Sequence, residues 1–205
     1  MEAPLLLVLA AGAGRRLGEI KALYRLGPLT AVEQVLAAGA GADRAVVLGA
    51  QAERVRAALP ADVSVVENPD WARGRTGGLR LAVQRFPGRD FLVAPVDVPL
   101  VAAGTHRALR LAWAEAGAPP LGWLAPAFAG LGTNAPARAG HPVLIGRELL
   151  ARLAAFEADR PLKDLRASAN PRWLLAVDDE AILDDLDSPA DGLRLRRRLD
   201  GQAGG

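Results

Sequence analysis

An apolar run that breaks into glycines constrains the start of this chain more than any other feature. Residues 5–9, Leu-Leu-Leu-Val-Leu, lead through Ala10 and Ala11 into a segment holding Gly12, Gly14 and Gly18, with Arg15, Arg16 and Lys21 interleaved. A short apolar run bounded by glycine reads as a buried strand. Glycine adopts turns closed to other residues and lets a ligand come close, so successive N–H groups can converge on phosphate oxygens while cations neutralise the charge. The plain alternative is a strand-to-helix turn with solvated arginines. Two common phosphate loops fail on spacing. The P-loop needs four residues between its glycines and a lysine after the second, whereas five residues separate Gly12 from Gly18 and Glu19 follows. The dinucleotide fingerprint G-x-G-x-x-G starts at Gly12 and Gly14 but meets Leu17 at its third glycine.

Lys21 stands out against the composition. Of 25 basic residues only Lys21 and Lys163 are lysine, so the chain takes arginine almost wherever a generic cation serves. A compact ammonium on a flexible stem meets a phosphate as a point charge, which a planar guanidinium imitates poorly. The net charge is only +2, and no basic tract is dense enough to follow a nucleic-acid backbone. The cluster Arg194 to Arg198 reads as the solvated face of a terminal helix. Cysteine is absent, which excludes disulfides and thiolate metal sites and favours a cytoplasmic setting. The first apolar run is too short for a signal peptide or a membrane span.

Strand and helix signals alternate along the rest of the chain. Strands are expected at residues 44–48, 63–67, 91–96 and 173–177, with a further one at 141–146; residues 121–126 carry a weaker pattern with no element assigned. Helices are expected from Thr30 as N-cap to Ala38, at 51–59, 77–84, 102–116 and 147–156, and from Pro189 with Ser188 as cap. This rhythm indicates βαβ units in a three-layer α/β/α domain with a mostly parallel, Rossmann-like sheet. One domain over residues 1–200 is expected, with 201–205 a frayed tail. Ligands of such sheets sit at the carboxyl ends of the strands, where both the glycine loop and Asp97 fall. Asp97 ends an apolar strand in the run Pro-Val-Asp-Val-Pro. A carboxylate there needs a cationic partner, and Mg²⁺, which takes one or two carboxylates plus substrate phosphates, fits.

The first loop, Leu9, Ala10, Ala11, Gly12, Gly14, Arg16, Gly18 and Lys21, resembles the signature L-A-A-G-x-[SG]-x-R-x-G-x-x-K of nucleotidyltransferases similar to molybdenum cofactor cytidylyltransferase and guanylyltransferase. Four later stretches follow in the same order. Asn68, Pro69, Trp71 and Gly74 resemble N-P-x-W-x-x-G, with Thr76 and Gly78 where serines are usual. Asp97 and Pro99 resemble the family's metal-binding step, with Val98 where cytidylyl members usually have Gln. Gly140, His141, Pro142 and Val143 resemble G-H-P-V of the acceptor side. Asp185, Asp187, Ser188, Pro189 and Asp191 resemble D-x-D-[TS]-P-x-D.

The resemblance implies attack by an acceptor phosphate on the α-phosphorus of a nucleoside triphosphate, with release of pyrophosphate and Mg²⁺ as cofactor. It implies catalytic roles for Arg16, Lys21 and Asp97, and nucleotide contacts from Leu9, Ala10, Ala11, Gly12, Gly14, Arg16, Lys21, Gly74, Thr76 and Gly78. His141 would meet a phosphorylated acceptor such as the molybdenum pyranopterin. Asp97 and one of Asp185 and Asp187, with Asp187 preferred, would hold the metal. Ala11 where guanylyl members carry glycine leans towards CTP. A molybdenum enzyme is a possible partner, and neither nucleic acid nor membrane is expected as one. Two other readings are a dinucleotide-dependent oxidoreductase and a non-catalytic protein that delivers a cofactor. If Lys21 acts as a point charge, Lys21→Arg will not restore the turnover that Lys21→Ala removes, measured as pyrophosphate release; equal rates for parent and Lys21→Arg would reduce Lys21 to a solvated cation.

Overall fold

The computed structural model describes residues 2–14, 16–130, 136–157 and 159–203; Arg15 and part of the loop before Gly140 lie outside these. In chain order the elements are β1 (Leu5–Ala10), β2 (Arg25–Leu26), β3 (Leu29–Thr30), α1 (Ala31–Ala38), β4 (Arg44–Leu48), α2 (Ala52–Arg56), β5 (Ser64–Glu67), α3 (Arg75–Arg85) and β6 (Phe91–Pro95). They continue with α4 (Ala103–Glu115), β7 (Trp123–Phe128), β8 (Arg138–Ala139), β9 (Val143–Ile145), α5 (Arg147–Ala151), α6 (Leu162–Ala167), β10 (Arg172–Ala176) and α7 (Pro189–Ala203).

The main sheet runs β10-β7-β9-β6-β1-β4-β5, with β8 paired to β7. β1 pairs in parallel with β4 and β6, β4 with β5, and β7 with β10. β9 alone of the strands on this path is antiparallel to its neighbours, β6 and β7. The fold is therefore the expected three-layer α/β domain with a mostly parallel sheet. Alternation along each strand builds the two cores. Leu6, Val8, Val46, Leu48 and Leu92 face α1 and α4 on one side. Leu5, Leu7, Val47, Phe91 and Val93 face α3, α5 and α6 on the other. No helix among the described residues is long and apolar enough to cross a membrane.

Local chemistry accounts for the helix starts. Thr30 and Glu33 form a reciprocal capping box on α1, the Thr30 side chain accepting from the Glu33 N–H and the Glu33 carboxylate from the Thr30 N–H. The helix expected over 147–156 divides instead into α5 and a tighter 3-10 turn, Arg152–Ala155, after which the Phe156 carbonyl accepts from Arg80. α7 continues through Gly201 to Ala203, beyond the point where the sequence suggested a frayed tail.

His106 on α4 is 1 % exposed, and its Nδ1 has no hydrogen-bond partner. Burial pushes its pKa down to about 4, with Arg110 acting in the same direction. Because the unfolded imidazole binds its proton more readily, stability is complete above about pH 6.5 and falls as pH drops towards about 4. Denaturant unfolding of the parent should lose roughly 2 kcal/mol more between pH 7 and pH 4 than His106→Gln does, and identical slopes would show that His106 is protonated without penalty.

Candidate active site

The glycine loop leaves β1 at the centre of the sheet. Gly14 has φ +60°, and a Cβ there would lie 2.4 Å from the Glu19 carbonyl oxygen, so both conformation and space exclude a side chain. Its own carbonyl accepts from the N–H groups of Leu17 and Gly18, at 3.0 and 3.2 Å, which closes the turn. The chain then enters a short 3-10 turn, Lys21–Leu23, whose first residue points its ammonium back at the strand ends.

That ammonium meets two carboxylates. Lys21 Nζ is 2.6 Å from Asp187 Oδ1 and 3.8 Å from Asp97 Oδ2. Arg16 donates to the other oxygen of Asp187 at 2.7 Å, and Arg75 to Asp97 Oδ2 at 2.8 Å. The hydrogen bond from Lys21 holds the Asp187 carboxyl below the usual carboxylate range. Asp185 moves the opposite way, raised by burial and then by the nearby charges of Asp97 and Asp187. Negative charge therefore converges on Asp97 from two aspartates of one late segment.

Two interactions hold that segment in place. The Leu186 N–H donates to the Asp97 carbonyl at 2.7 Å, while the Leu186 side chain is fully buried. Asp191 accepts from the N–H and hydroxyl of Ser188 at 2.8 and 2.7 Å and from the Asp187 N–H at 3.2 Å; Arg194 donates to its second oxygen. Asp191 thus caps α7 and fixes the backbone of Asp187, and these hydrogen bonds, led by that from Ser188, depress its pKa to about 2.

Two clefts open at this end of the sheet. The first, about 180 Å³, is lined by Leu9, Ala11, Gly12, Gly14, Lys21, Gly74, Gly78 and Asp97 among the residues anticipated from sequence. Gly78 is required here by closeness, since a Cβ would lie 2.8 Å from Val47 Cγ1 and α3 could not pack on β4. Asn68, Trp71 and Arg75 also line it, and the buried Asn68 Nδ2 has no hydrogen-bond partner. The second cleft, about 510 Å³, shares Leu9, Arg75 and Pro95 with the first and adds His141, Val143, Trp123, Lys163 and Arg166. His141 sits there with Nδ1 buried and unpartnered, its pKa lowered mainly by burial against an upward pull from Asp97.

Three anticipated nucleotide contacts do not line the first cleft, and of these Arg16 is held on Asp187. Ala10 is packed in the core at 3 % exposure, because its position on β1 faces inward. Thr76 lines the second cleft, and its hydroxyl is spent on the Arg160 carbonyl at 2.5 Å. Arg75 was missed from sequence, its only signal being adjacency to Gly74 in a chain full of arginine.

A doubly covered α/β sheet carries a glycine loop, paired aspartates and three cations at its strand ends, and this is the setting of a nucleotidyltransferase. Residues 6–173 match the MobA-like NTP transferase domain, and the chain belongs to that family. A bifunctional IPC transferase and DIPP synthase of Rubrobacter xylanophilus is 40 % identical over 113 residues, which cover 50 % of this chain and 26 % of that relative. The crystal structure of Rv0371c from Mycobacterium tuberculosis H37Rv superposes with a TM-score of 0.75 at 29 % identity, covering 95 % of this chain and 98 % of that one. Molybdopterin-guanine dinucleotide biosynthesis protein A of Archaeoglobus fulgidus gives 0.72 at 18 % identity, covering 96 % and 99 %. The 2-C-methyl-D-erythritol 4-phosphate cytidylyltransferase of Thermus thermophilus gives 0.69 at 20 %, covering 98 % and 100 %. At these last two identities the likeness is one of fold.

Asp191→Ala should lower unfolding stability by about 1 kcal/mol through loss of the cap. It should weaken Mg²⁺-dependent nucleotide binding by at least about tenfold, because Asp187 loses its backbone support. Calorimetry and denaturation on the same protein test both, and unchanged nucleotide affinity would detach Asp191 from the site.

Proposed function

We propose that the chain transfers a nucleoside monophosphate, CMP from CTP by preference, to a phosphorylated small molecule. The observation that carries this reading is the pairing of Lys21, Arg16 and Arg75 with Asp187 and Asp97 at the strand ends, Arg75 being the cation that lines both clefts. The sheet order sets the distances. The ends of β5, β4, β1 and β6 lie in a row about 14 Å across at ordinary strand spacing, room for a nucleotide laid across them. With the base towards Asn68 and Gly78, the α-phosphate reaches Asp97 and the β- and γ-phosphates fall to the glycine loop amides, Arg16 and Lys21. The second cleft, on the far side of β6, receives the acceptor.

Asp97 and Asp187 offer oxygen donors only, and both face the same ammonium. Among the described residues no third His, Cys, Asp or Glu joins them in a metal-holding group. Such a pair suits Mg²⁺, whose remaining positions go to phosphates and water. When bound there the ion would supply charge neutralisation and orientation at the α-phosphate. The protein's own part is positional. An acceptor phosphate oxygen forms the new bond to the α-phosphorus, the bond to the β-phosphate bridge oxygen breaks, and pyrophosphate departs with the electron pair, steadied by Lys21 and Arg16. The nucleophile is already an anion, so no general base is needed.

The walls of the second cleft favour an acceptor with an apolar or planar body over a bare polyol. Val93, Trp123, Val143, Ile145 and Leu162 make much of its surface. A pterin-like phosphate fits that description, and with it a role in molybdenum cofactor assembly in the cytoplasm. The relative named for IPC transferase activity keeps a second acceptor class in view, because its identity with this chain is the higher.

Titration of CTP, GTP, ATP and NADPH under identical salt, with and without Mg²⁺, tests the proposal. CTP should bind most tightly and lose affinity when Mg²⁺ is removed, and Asp97→Ala should fold normally while pyrophosphate release falls by a factor of about 100 or more. Tighter GTP binding would move the chain to guanylyl transfer. Tight metal-independent NADPH binding, or parental turnover in Asp97→Ala, would overturn the transferase reading.

A further inference from the structure

Arg75 occupies a position that nucleotide binding alone does not explain. It is the first residue of α3, directly after Gly74, whose φ of 133° turns the chain into the helix. Its side chain is 60 % exposed, yet its guanidinium stays 2.8 Å from Oδ2 of Asp97, which is 15 % exposed. An ion pair with so open a partner adds little to stability, so the contact is a poor candidate for a purely structural one. Among the described residues Arg75 is the charged side chain that lines both clefts.

The other cations near the reacting centre are differently placed. Lys21 and Arg16 both bond Asp187, on the side of the glycine loop. Arg160, Lys163 and Arg166 line the second cleft alone, and Arg160 is further drawn off by Asp164 at 3.1 Å and by the Phe156 ring beneath it. Arg75 lines both clefts, and on the transfer reading an anion from the second cleft meets the α-phosphorus beside it. Two phosphates brought together there repel each other, and a guanidinium offsets that charge while its planar fork fixes the orientation of the attacking oxygen.

We propose that Arg75 binds the attacking phosphate of the acceptor, and that its bond to Asp97 is the resting contact it exchanges for that phosphate once Asp97 turns to the nucleotide-bound metal. This rests on the transfer reading above. An acceptor lacking a phosphate or similarly forked anion would then find no partner at the seam, which makes Arg75 a determinant of acceptor class as well as of geometry.

The test uses the full chain loaded with Mg²⁺ and a non-hydrolysable CTP analogue, with inorganic phosphate as the calorimetric probe. The loaded parent should bind phosphate, Arg75→Ala should bind it at least about tenfold more weakly, and Arg75→Lys should recover part of the loss, since it keeps charge without the fork. Affinity for the Mg²⁺–nucleotide pair should be equal or higher in Arg75→Ala, because Asp97 is freed of a competing cation. Parental phosphate binding in Arg75→Ala would overturn the assignment. Weakened nucleotide binding in that variant would overturn it too, by making Arg75 a nucleotide residue. A parent that takes up no nucleotide would instead remove the transfer reading, and this inference with it.

Discussion

Asp97 and Asp187 come from distant parts of the chain, and two carboxylates that close repel unless a cation stands between them. Lys21 is that cation, and much of the site's construction serves to hold the three together. Its stem is mostly covered, so the attraction acts at lower effective dielectric than on an open surface. Arg16 and Arg75 extend the alternation of charge outwards to solvent. Under the proposed function, phosphates and a divalent ion would replace these pairs, the anions going to the cations and the metal to the carboxylates.

That arrangement depends on backbone contacts away from the charges. The bond from the Leu186 N–H to the Asp97 carbonyl ties the last aspartate segment to the end of β6, and burial of the Leu186 side chain keeps it there. The Ser188–Asp191 cap orients the next turn. On the other side, the φ of Gly14 lets the loop double back so that Lys21 faces the strands. Moving any of these would separate the carboxylates from their shared ammonium.

The parallel part of the sheet was legible because its strands are short apolar runs broken by glycine and proline, and β4 matches the expected residues 44–48 in full. Three of the five ordered motifs identified most of the first cleft. The hairpin of β2 and β3 was not legible, since strands of two residues carry no periodicity. The break after α5 escaped notice because Leu149, Leu150 and Leu153 remain buried in either a continuous helix or a helix followed by a tighter turn. Arg75 was hidden by abundance, and the Arg160 carbonyl that takes the Thr76 hydroxyl is a partner that only tertiary structure supplies. Ala10 followed from the motif, but strand alternation turns its side chain into the core.

The direction of β9 could not be read from three apolar residues, yet it has a wide consequence. In the parallel strands Leu9 and Asp97 reach the clefts at or after the strand's end; in β9, reversed between β6 and β7, it is the segment before the strand, which is how His141 arrives at the same face. Under the proposed function, donor and acceptor are then handled by stretches of chain that enter the sheet from opposite directions. A change in the approach to His141 would alter which molecule is modified and leave the grip on the triphosphate intact, so products could diversify on this sheet without a new way to activate a nucleotide.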